Sequence, residues 1–155
     1  MNGVKVSVVE DGSVAWIKLE ERVTLELGEL LKSVGMFFLE NEAKSLKIEM
    51  SNCTFMDSTI MGVLTMIALE GYQREVQLEV VNATKESQDL LIGLGVHKVI
   101  KFITDDTTPS VWSSPDMAKK ECLNASVILD AHKTLMEVDS ENIAKFSAVV
   151  KCLQN

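Results

Sequence analysis

Aromatic residues are scarce in this chain, 5% against 46% hydrophobic residues overall, so any core must be aliphatic, built from Val, Leu, Ile and eight Met. Three cysteines, Cys53, Cys122 and Cys152, are far apart and odd in number. No Cys-x-x-Cys occurs, and His97 and His132 supply no zinc spacing, so reduced thiols in a cytoplasmic protein are expected, with no metal and no cofactor. Basic residues are also few, 15 Lys and Arg against 23 Asp and Glu. The resulting net charge of −8 and pI near 4.8 argue against nucleic acid and against an anionic membrane as partners. The N-terminus, Met-Asn-Gly-Val-Lys-Val, lacks the apolar run of a signal peptide, and no stretch reaches the length of a membrane span. A glycine-rich phosphate loop is missing too: Gly93-Leu94-Gly95 has neither the third glycine nor the strand before it.

What is present is a regular alternation of patterns. Val4, Val6 and Val8, a turn at Glu10-Asp11-Gly12-Ser13, then Ala15, Ile17 and Leu19 alternate with polar neighbours and predict a hairpin with one buried face. Leu27, Leu30, Leu31, Val34, Phe37 and Phe38 keep helical spacing, which predicts a first helix from about Leu25 to Asn41. A third strand is expected at Leu46–Met50, a second helix over Ile60–Tyr72 and a fourth strand over Glu75–Val81. Thr84 is placed to cap a third helix that Gly95 stops, and Val96–Ile103 offers a last strand. The fold class is therefore α/β, a mixed β-sheet with helices in the order β-β-α-β-α-β-α-β. Thr104–Ser114 reads as a linker. Beyond it, Ser114 and Pro115 open a helical run toward Glu137, and Asp139 or Ser140 caps a final helix striped by Ile143, Phe146, Val149, Val150 and Leu153. The division is a domain over 1–104 and a linker with a C-terminal helical extension over 105–155.

The most informative stretch is Cys53–Leu64, Cys-Thr-Phe-Met-Asp-Ser-Thr-Ile-Met-Gly-Val-Leu, where Asp57, Ser58 and Thr59 fall between a strand and an apolar helix. Asp and Ser are common helix caps, and a capping role needs nothing further. Met56-Asp57-Ser58-Thr59-Ile60-Met61-Gly62-Val63-Leu64 also resembles the signature of the STAS domain, the fold of anti-sigma factor antagonists. The element order agrees with that family. The resemblance implies that Ser58 is a phosphoacceptor, with Thr59 as a secondary one and Asp57, Thr24 and Gly62 as its surroundings. It further implies an anti-sigma factor or serine/threonine kinase as partner, with Met56, Met61 and Thr65 as contact positions. Phosphorylation of Ser58 would end the binding by adding roughly −1.5 to −2 charges.

One departure stands out. In phosphorylated antagonists the second strand ends in a Gly-Glu-Leu-Asp-like run, whereas here Glu20-Glu21-Arg22-Val23-Thr24 leaves no acid at its end. The alternative function is therefore a STAS scaffold or sensor-coupling module that is not phosphorylated. Gly62 early in a helix costs about 1 kcal/mol against Ala, which implies a close-packing neighbour. Met61, Met66 and Leu69 fall off the face that Ile60, Val63, Leu64 and Ile67 turn to the sheet; either the extension covers them or a partner does. The extension itself can dock on the sheet domain or pair with a second copy as a homodimer. An enzyme is not expected, because neither histidine is placed by spacing to serve Ser58 as a base.

Overall fold

The computed structural model describes residues 3–8, 12–115 and 124–154. Strand β1 (Gly3–Val8) pairs antiparallel with β2 (Val14–Val23), Val6 opposite Ile17. Residues 10 and 11 of the expected turn lie outside the described residues, as does Cys122. A single 3₁₀ turn (Leu25–Leu27) leads into α1 (Gly28–Glu40), close to the predicted helix. Strand β3 (Ser45–Glu49) runs parallel to the first half of β2. Next comes β4 (Cys53–Met56), a short strand not anticipated from the sequence, parallel to the last residues of β2 beyond a bulge at Glu21. The two pieces β3 and β4 thus lie end to end along one long strand. Glu21 takes φ 59°, and its N–H donates to the Asn52 carbonyl where the two pieces meet.

Helix α2 (Ser58–Gln73) follows, then β5 (Leu78–Val81), α3 (Lys85–Gly93) and β6 (Lys101–Ile103). The sheet order is β1-β2-β3-β5-β6, parallel from β2 onward. Each crossover steps in the same direction across the sheet, so right-handed connections put α1, α2 and α3 on one face. Ala15, Ile17, Leu19, Leu46, Ile48 and Val80 point to that face and are inaccessible to solvent. The opposite face carries Lys18, Lys47 and Glu79, with Trp16 among them.

The expected last strand over 96–103 is corrected. Val96–Lys98 is a 3₁₀ turn entered through Gly95 at φ 76°, and only Lys101–Ile103 pairs with the sheet. The left-handed Gly95 turns the chain too sharply for an extended run.

Residues 104–114 cross the polar face instead of hanging free. Asp105 exchanges hydrogen bonds with Asn82 and accepts one from Lys47, Trp112 meets Trp16 edge to face at 6.3 Å, and Ser113 pairs with Val6 on the far edge. In the extension, α4 (Ala125–Val138) is capped by Asn124, whose side-chain oxygen accepts from Ser126 and Val127. The helix expected from Pro115 is described only from Ala125, because 116–123 lie outside the described residues. Helix α5 (Glu141–Gln154) starts at the Asp139 carboxylate, which accepts from the Glu141 N–H.

In this fold the extension docks on the chain's own sheet domain. Helix α4 lies against α2, and Val127, Ala131 and Leu135 join the main core. Fully buried Asn142 donates from Nδ2 to the Leu94 and Leu135 carbonyls, Lys145 reaches the Gly93 carbonyl, and Lys98 pairs with Asp139. The α5 stripe is only half used: Val150 is buried while Ile143 and Val149 are exposed.

Candidate functional site

The site forms where β2 and β4 end side by side. β4 delivers Asp57 to the start of α2, and Asp57 is the helix cap: its Oδ1 accepts from the Ile60 N–H at 3.0 Å. Ser58 is the first helical residue and is partly exposed. The end of β2 places the 3₁₀ turn beside it, where the Thr24 hydroxyl donates to Glu26 Oε1 at 2.5 Å.

Burial pushes the Asp57 carboxyl above its ordinary value, against the pull of the Ile60 and Leu25 N–H groups; Glu26 adds to the rise and His132 opposes it. Glu26 is held below its ordinary value, chiefly by the Thr24 hydroxyl. Glu26, three residues beyond Val23, is the first acid after the end of β2.

His132 was not legible as a site residue. It lies on α4, is 4% exposed, and its Nε2 is 2.9 Å from Ser58 Oγ. Its Nδ1 is 2.7 Å from the Ile128 carbonyl oxygen. A carbonyl only accepts, so Nδ1 carries the hydrogen, and in the neutral ring Nε2 is left as the acceptor for the Ser58 hydroxyl. The Phe146 ring of α5 packs edge-on against the imidazole with centroids 4.9 Å apart. Spacing placed neither histidine beside Ser58, and the fold brings His132 there. The two residues are 74 apart in sequence, and only the docking of α4 joins them.

The other expected residues take different places. Thr59 is 3% exposed, its methyl against Gly28. Met56, Met61 and Thr65 are buried, the Thr65 hydroxyl donating to the Met61 carbonyl. With α4 seated, these side chains are not on the surface. Gly62 has the close neighbour its position implied: a Cβ there would stand 2.4 Å from the Ala131 carbonyl oxygen. Among the described residues no group of three or more His, Cys, Asp or Glu could hold a metal ion, and no helix is long and apolar enough to cross a membrane.

A family model for the STAS domain matches residues 6–110, and the chain belongs to that family. Among solved structures, the anti-sigma factor antagonist SpoIIAA in its unphosphorylated form is similar at a TM-score of 0.55 and 13% identity. The match covers 68% of this chain and 90% of that one. No curated protein matches the chain. The fold is thus the STAS fold, shared with SpoIIAA and followed here by α4 and α5.

Proposed function

We propose that this STAS protein is a cytoplasmic regulator of the anti-sigma factor antagonist type, which binds an anti-sigma factor or serine/threonine kinase and is switched by phosphorylation of Ser58. The observation that carries the reading is the partly exposed Ser58 hydroxyl at the first position of α2, beyond a strand, in a fold shared with SpoIIAA. A phosphate there would bring roughly −1.5 to −2 charges beside Asp57 and Glu26, enough to turn an acceptable partner surface into a repellent one. A partner would approach the partly exposed Ser58 beside the 24–26 turn, whose Leu25 N–H reaches Asp57. Binding through Met56, Met61 and Thr65 would require α4 to leave.

Intact-mass measurement and phosphosite mapping of protein from its native host, with capture of partners by wild type, Ser58→Ala and Ser58→Asp, tests this. Phosphate on Ser58 and loss of a partner by Ser58→Asp are expected. An unphosphorylated Ser58 together with an unchanged partner set for Ser58→Asp would sink the switch. That outcome would favour the second reading, a scaffold or sensor-coupling STAS module, to which the half-used apolar stripe of α5 lends support as a contact for other chains.

A further inference from the structure

We infer that His132 is the proton acceptor for phosphoryl transfer to Ser58, so that the C-terminal extension is a working part of the site; this rests on the phosphorylation reading above. The Nδ1–H bond to Ile128 fixes the ring orientation and tautomer, and the 2.9 Å approach of Nε2 to Oγ is within reach for direct proton transfer. In the step, Ser58 Oγ attacks the γ-phosphorus of a nucleoside triphosphate carried by the partner kinase. The Oγ–P bond forms, the bond from phosphorus to the bridging oxygen breaks, and the nucleoside diphosphate leaves with that electron pair. The hydroxyl proton passes to His132 Nε2. The imidazolium then sits beside the new phosphate and offsets the repulsion from Asp57, whose carboxyl feels both His132 and Glu26 of the 3₁₀ turn; α5 presents the Phe146 ring.

The alternative role for α4, a cover that must swing away, is opposed by how it is fastened. Opening of the extension would expose Val127, Leu135 and Met61 and would break the Asn142 bond to the Leu94 carbonyl. Ser58 is reachable with α4 in place.

The test uses the full chain and a fluorophosphonate probe, whose phosphorus takes the Ser58 oxygen as fluoride leaves. Wild type should be labelled once, at Ser58. His132→Gln should label about 100-fold more slowly. His132→Ala should regain rate when free imidazole is added, which a merely structural role would not produce; melting curves of both variants establish that they are folded. Labelling of His132→Gln at the wild-type rate, faster labelling of it, no imidazole rescue, or a label on another residue would each overturn the inference. Phosphosite mapping answers the separate question. Histidine-dependent labelling without phosphate in the host supports the inference and removes the switch, whereas phosphate in the host with histidine-independent labelling does the reverse.

Discussion

Replacing Gly62 by Ala sets two effects of opposite sign against each other. In an unencumbered helix the change stabilises by about 1 kcal/mol, since Ala is the better helix former. Here the new Cβ would lie 2.4 Å from the Ala131 carbonyl oxygen, 2.6 Å from its Cβ and 2.7 Å from its carbonyl carbon. None of these atoms can move by a rotamer change, so α4 as a whole must back away by about 1 Å to restore ordinary contact. Overpacking of this kind costs about 1–3 kcal/mol, which outweighs the propensity gain in most of that range. The expected net is a loss of about 1 kcal/mol, or roughly 2–4 °C in melting temperature for a chain of this size. The displacement also carries His132 with it, lengthening the bond to Ser58 beyond hydrogen-bond range and slowing fluorophosphonate labelling without touching either residue. Urea and thermal unfolding, with labelling kinetics, measure both effects. A Gly62→Ala protein more stable than wild type by about 1 kcal/mol would show that α4 is not held against α2, and the account of the site would fall with it.

Other outcomes follow from single contacts. Asn142→Ala leaves the Leu94 carbonyl without its donor, while Leu135 keeps the Asp139 N–H, and should cost about 1–3 kcal/mol, with faster amide exchange in α4 and α5 than in the sheet. For Asp57, the raised carboxyl value means the folded chain holds a proton more tightly than the unfolded one. Its contribution is therefore most favourable below the ordinary carboxylate range and is lost as pH rises through the raised value. Asp57→Asn keeps a capping oxygen and removes that penalty, so its stability relative to wild type should be better at pH 7 than at pH 4, as paired urea titrations can read. Asp105, held at about 2 by Thr107 and Lys47, works in the opposite sense: its support is present above the ordinary carboxylate value and disappears as pH falls from about 4 toward 2. Both tryptophans of the chain sit where that segment docks, so their fluorescence should report its release, and Asp105→Asn should reproduce part of the change at neutral pH.

The sheet was readable because Ala15, Ile17 and Leu19 alternate cleanly with polar residues, and burial on one face is what alternation encodes. Asp57 as cap and the tight neighbour of Gly62 were readable for similar local reasons. Strand β4 was not, since Cys53–Met56 is too short to show a period and exists because β2 extends past its bulge to receive it. Glu26 was hidden by a turn that folds back on the site. His132 lay furthest from view, because its role depends on how a helix near the end of the chain packs, and nothing in its own neighbourhood announces that.

The segment from 104 to 114 joins the two edges of the sheet, leaving beside β6 and fastening by Ser113 onto β1. Strand β1 therefore has an open rim until residue 113 has been synthesised and laid across the other strands. During that interval the nascent sheet offers unpaired backbone groups to any other strand, which is the usual opening for misassembly. The strap closes part of that rim with the chain's own backbone, and it does so only after the last strand is in place. Assembly of this sheet thus ends where it began, at the N-terminal strand.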